Sequence, residues 1–148
     1  MLFALLFLFS VPPAQAQEAS LRVEIDPDQA SVMDGGELTV TTHITNTGSQ
    51  DIALRVWTCS YSDNWIDDSP FVDLVPWPCD ENGLAKYVLK PGESLQNYEN
   101  KLRLRIFVPA DEIAVEQVTF KLGFKASPDK ADTSPVAWSG PITVQVKE

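Results

Sequence analysis

The sequence has one histidine, His43, and two cysteines, Cys59 and Cys79, in 148 residues. That scarcity excludes much chemistry. A Ser-His-Asp triad has only His43 to draw on, and His43 lies between threonines on the expected wet face of a strand. No G-x-S-x-G elbow is present, and Trp138-Ser139-Gly140-Pro141 lacks the strand-turn-helix setting. A blue-copper centre needs two histidines and a cysteine; neither H-E-x-x-H nor C-x-x-C occurs. Basic residues are also few. Eleven Lys and Arg against 21 Asp and Glu leave a formal net charge of -10. Such a surface repels phosphate backbones and anionic lipid, so nucleic acid and membrane are not expected partners. The chain therefore reads as no enzyme, with no cofactor.

The one long apolar run is Leu2 to Phe9. It is shorter than the roughly 20 residues a membrane span needs. Ser10-Val11-Pro12-Pro13 interrupts it, and Ala14-Gln15-Ala16 fits the small-x-small pattern of signal cleavage. No Lys or Arg precedes the run, a departure from the usual positive start. Residues 1–16 are expected to be a secretory signal peptide and 17–148 one domain, secreted or periplasmic, with no membrane insertion after cleavage. In an oxidising compartment an even cysteine count predicts a Cys59–Cys79 disulfide. Closing a loop of about 20 residues stabilises a fold by about 3 kcal/mol.

Helical periodicity is nearly absent after Gln17, and alternation replaces it. Leu21, Val23 and Ile25 alternate with Arg22 and Glu24. Leu38, Val40 and Ile44 alternate with Thr39, Thr41, His43 and Thr45. Further strands are expected at Ile52 to Trp57, Leu84 to Leu89, Leu102 to Val108, Val118 to Phe124 and Ile142 to Val146. Turn signals separate them: Asp34-Gly35-Gly36, Asn46-Thr47-Gly48 and Lys90-Pro91-Gly92-Glu93. Seven or eight short strands with one apolar face each suit an all-β, antiparallel two-sheet sandwich of immunoglobulin-like type. A lipocalin-like closed barrel ranks second. The stretch from Cys59 to Cys79 breaks the alternation and reads as a long disulfide-closed loop insertion with one edge strand near Phe71 to Val75.

Two turns carry a resemblance. Asn46-Thr47-Gly48 before Ile52-Ala53-Leu54 resembles the N-x-G turn of bacterial immunoglobulin-like modules. Leu89-Lys90-Pro91-Gly92-Glu93-Ser94 resembles their L-x-P-G-E turn. The cell-adhesion-related and intracellular proteinase inhibitor types of module both use such turns. The match covers about a tenth of the chain; it implies the sandwich fold and no catalytic residues, since this architecture hosts unrelated activities.

The 59–79 segment also concentrates aromatics. Trp57, Tyr61, Trp65, Phe71 and Trp77 fall around the two cysteines. Tyr61, Trp65, Phe71 and Trp77 form the candidate binding surface, held by the disulfide; the alternative is a small satellite core packed on the bridge. Asp63, Asp67 and Asp68 are the residues a calcium ion would use there, but their spacing misses the D-x-[DN]-x-[DN]-G loop. The expected function is a non-catalytic interaction module with a protein or glycan partner. A carbohydrate-binding module is the first alternative, and a protease-inhibitor-like domain presenting the bridged loop the second.

Overall fold

The computed structural model describes residues 20–96, 100–109, 115–129 and 133–147. The expected signal segment 1–16 lies outside them. Among the described residues no α-helix occurs. The strands are β1 (Leu21–Pro27), β2 (Ser31–Met33), β3 (Glu37–Asn46), β4 (Ile52–Trp57), β5 (Trp65–Asp67), β6 (Val72–Val75), β7 (Leu84–Leu89), β8 (Lys101–Ile106), β9 (Gln117–Phe120), β10 (Leu122–Phe124), β11 (Ala137–Trp138) and β12 (Ile142–Lys147), with a 3-10 turn at Tyr61–Asn64.

They form two layers. The first is antiparallel, in the order β1-β3-β8-β6. The second is built from shorter ladders: β4 with β7, β10 with β5 and β11, and β12 with β9 and, in parallel, β2. β9 and β10 are one continuous lane interrupted only at Lys121, and their inward side chains keep phase: Val118, Phe120, Leu122 and Phe124 are all buried. At one edge the layers touch: Val23 of β1 bridges to Ser139, just beyond β11. Val40, Ile44, Leu102, Leu104 and Ile106 from the first layer meet Leu54, Val56, Phe120, Leu122 and Phe124 from the second in one core. Each such side chain contributes about 1.5–3 kcal/mol on burial.

The turns behave as their residues require. Gly35 and Gly92 both take positive φ, 72° and 83°, a conformation that a Cβ disfavours. Asn46 is buried in the turn after β3: its amide donates to Gln50 O (2.7 Å) and Leu89 O (2.8 Å), and its Oδ1 accepts from Gly48 N (2.9 Å). β2, β5 and β11 were not evident as strands from the alternation. They span two or three residues each, too few for a period of two to register.

The main departure from expectation lies in the Cys59–Cys79 segment. Its edge strand β6 forms as expected, but the first half is no loop. Arg55 N donates to Ala126 O (2.8 Å), which places β4 beside the strand that carries β10. Beyond Trp57 the chain swings out and returns through the 3-10 turn, and β5 then occupies the same lane against β10, Trp65 opposite Phe124. Asn64 fills the break. Its Oδ1 accepts from Trp57 N (3.1 Å), its Nδ2 donates to Arg55 O (2.9 Å) and Lys125 O (3.1 Å), and its backbone O accepts from Lys125 N (2.8 Å). A buried side-chain amide thus does the work of a missing ladder step. Asn64→Ala keeps the Lys125 N bond and leaves Trp57 N, Arg55 O and Lys125 O without the side-chain amide; because each buried unsatisfied group costs about 1–3 kcal/mol, the urea midpoint is expected to fall by an amount equal to at least about 2 kcal/mol.

Candidate functional site

The disulfide is formed, with Cα atoms 5.8 Å apart. It ties the outward swing after β4 to the connection between β6 and β7. Asn82 reinforces the tie: its Oδ1 accepts from Cys59 N (3.2 Å) and Ser60 N (3.3 Å), and its Nδ2 donates to Ser60 Oγ. Gly83 N donates to Thr58 Oγ1 (3.0 Å).

The aromatics inside this frame divide into two sets. Tyr61 and Trp65 are each 3% exposed. Because Trp65 pairs with Phe124 and shares its inward face, the indole meets Phe124 at 5.2 Å, and Tyr61 approaches Trp65 edge-on at 5.7 Å. The Tyr61 hydroxyl bonds Thr42 Oγ1 on β3 (2.9 Å), across the sandwich. Burial holds its phenol above the usual tyrosine range. Both rings belong to the main core, so the expectation that they present a recognition surface is corrected. Sequence shows an aromatic cluster; it does not show that β5 turns half of it inward.

Phe71, Trp57 and Trp77 are half-buried. Phe71 packs against the rim of the core. Trp77 lies on the outer face of the first layer under the Arg103 guanidinium, 5.0 Å from the ring centre. Arg103 and Arg105 both pair with Glu37, Arg105 at 2.9 Å, and these two bonds hold the Glu37 carboxyl below its ordinary range. The indole N–H groups of Trp65 and Trp77 are buried without an acceptor among the described residues.

Between the 3-10 turn and β6 lies an open groove of about 520 Å³, lined by Trp57, Asp63, Trp65, Leu74, Pro76 and Lys125. Trp57, Leu74 and Lys125 were not among the residues expected at the site. Trp57 stands just before the first cysteine, and Lys125 is 61 residues from Asn64, the residue that positions it. The fourth tryptophan, Trp138, is 41% exposed on the outer face of the second layer. It sits over Gly123, where a Cβ would lie 3.0 Å from Trp138 Cε3 and 2.5 Å from Val136 Cγ1, and Lys121 Nζ is 5.9 Å from its ring centre.

The calcium candidates are engaged separately. Asp68 accepts from Lys121 N (2.6 Å) and pairs with Lys121 Nζ (3.7 Å), and Asp67 Oδ1 accepts from Ser69 N (3.2 Å). Asp63 lines the groove. Among the described residues no three His, Cys, Asp or Glu side chains are placed to hold a metal ion. No helix among them is long and apolar enough to cross a membrane. His43 Nε2 pairs with Asp26 Oδ2 at 3.2 Å on the exposed face of the first layer. No protein-family model matches the sequence, and no curated protein matches it.

Two outcomes follow for this segment. Replacing both cysteines by alanine is expected to lower stability by about 3 kcal/mol, read as a shift in denaturant midpoint. The Tyr61–Trp65–Phe124 contacts and the Tyr61–Thr42 bond involve neither cysteine, so near-ultraviolet circular dichroism is expected to keep its aromatic signal. Asp67 is held above the ordinary carboxyl range by burial first, and then by the charges of Asp73 and Asp68. A raised carboxyl favours the folded state only where it is protonated; that contribution is full below about pH 4, the unfolded value, and is lost as pH rises through the folded value. Asp67→Asn keeps an acceptor for Ser69 N and removes the charge. Its melting temperature is expected to exceed the parent's at pH 7 and to match it near pH 3.

Proposed function

We propose that the chain is an exported, non-catalytic binding module that engages a protein partner through the groove beside the disulfide. The observation that carries this reading is the groove itself. Trp57, Leu74 and Pro76 give it apolar walls, and Asp63 and Lys125 add one charge of each sign. Aromatic anchors in a pocket with a polar rim are the usual build of a protein contact. The frame around it is fixed from three sides, by the disulfide, by Asn64 and by Asn82. Pre-organisation of that kind reduces the ordering cost of binding.

The disulfide also supports export, since such bonds persist in oxidising compartments. A non-catalytic role is supported by the position of His43, which pairs with Asp26 and does not line the groove. A glycan partner is less favoured: stacking on sugar rings needs free indole faces, and Lys121 and Arg103 lie over Trp138 and Trp77.

Selection of a displayed random-peptide library on the full exported chain tests this. Enriched peptides are expected to lose at least about tenfold in affinity, near 1.4 kcal/mol, against Trp57→Ala and Asp63→Lys, with melting temperatures little changed. Trp65→Ala serves as the core control and is expected to unfold the chain by about 3–5 kcal/mol. Selected peptides indifferent to both groove variants, or retardation in polysaccharide gels that Trp57→Ala abolishes, would sink the protein-partner reading.

A further inference from the structure

The four edges of the two layers are not alike. β1 is bridged to Ser139 at Val23 and ends in Pro27. β2 has three residues. β6 has four, and Pro76 and Pro78 follow it closely. Short strands and proline are common means of blunting an edge against pairing with another chain. β7 has six residues and no proline or bulge within it.

The direction of its backbone groups follows from the ladder. In an antiparallel pair, bonded and non-bonded residue pairs alternate. Thr58 N donates to Gly83 O (2.8 Å), so the pairs 56–85, 54–87 and 52–89 are the bonded ones. Arg55 agrees, because its N–H turns the other way, to Ala126 O. Leu84, Lys86 and Val88 therefore aim their N–H and C=O groups away from β4. None of these six groups has a partner among the described residues. Their side chains point to the outer face, where Val88 is 60% exposed. Lys86 stands opposite Arg55, which pairs with Asp129 (3.7 Å), while Lys86 forms no ion pair among the described residues.

We infer that β7 is a strand-addition site for an extended segment of a different protein. The segment carries a carboxylate opposite Lys86 and apolar residues two positions to either side, opposite Leu84 and Val88. Backbone bonds supply the contact and the side-chain pattern supplies the choice. A second copy of this chain fits poorly. Antiparallel self-pairing centred on Lys86 sets two lysines opposite each other, which destabilises a sheet, and brings together two chains of net charge -10. The inference goes beyond the groove and does not rest on it.

The test uses the full chain, labelled with nitrogen-15, and two end-capped probes, TVTDTVT and TVTKTVT. The aspartate probe is expected to shift the amide signals of Leu84, Lys86 and Val88 and to bind at least about fivefold more tightly than the lysine probe. Lys86→Glu, an exposed change, is expected to reverse that order. Asp63→Lys, in the groove and outside the β4–β7 ladder, leaves both results unchanged, which separates this site from the groove. The inference is overturned if neither probe moves a β7 amide, if the charge preference survives Lys86→Glu, or if β7 signals move with protein concentration alone, which would mark a second copy as the occupant.

Discussion

Asn64 is fully buried, and its carboxamide joins two stretches of backbone that no ladder joins. A buried amide left unmatched is costly, so its partners fix where the chain can pass. β4 must stop at Trp57, the chain must swing outward through Cys59, and it must return at Trp65. The outward swing gives the disulfide its first anchor. The return gives the core Trp65, and through it the contact with Phe124 and with Tyr61, whose hydroxyl reaches Thr42 on the opposite layer. The groove is the space left between that detour and β6. One interaction thus sets the core, the bridge and the candidate site together.

How much of this was legible in the sequence depends on range. Alternation over five or more residues located β1, β3, β4, β7, β8, β9 with β10, and β12, because a half-buried strand imposes a period of two. Gly92 was legible as a positive-φ turn residue because proline before it and glycine itself define the turn. The pairing of Cys59 with Cys79 followed from parity. The inward turn of Tyr61 and Trp65 was not legible. It depends on β5 pairing with β10, 55 to 59 residues later in the chain by the Trp65–Asp67 to Leu122–Phe124 register, a non-local fact that no local pattern carries. Asn64 reads as one more polar residue in an acidic loop; only its burial shows what it does.

The aromatic cluster shows the same division in energetic terms. Tyr61 and Trp65 are spent on stability, and their burial is what makes the segment rigid. Trp57 and Trp77 remain half-buried, one in the groove and one under Arg103. A surface can present anchors at low entropic cost only if something beneath it is already ordered. Of the two readings open at the level of sequence, packed core holds for Tyr61 and Trp65, and the recognition surface we propose falls to the half-buried rings that rest on them.

Charge completes the argument. An unblunted strand edge normally invites pairing with its own kind, and proteins answer with proline, short strands or covering loops. β1, β2 and β6 use such devices, and β7 has only Lys86. A net charge of -10 supplies a second answer that acts before contact, because two copies repel over about 8–10 Å at physiological salt. At contact the single lysine then disfavours its own image and favours a carboxylate. Long-range repulsion of copies and short-range choice of partner can therefore coexist on one edge, which lets a backbone template remain open without becoming a route to self-association.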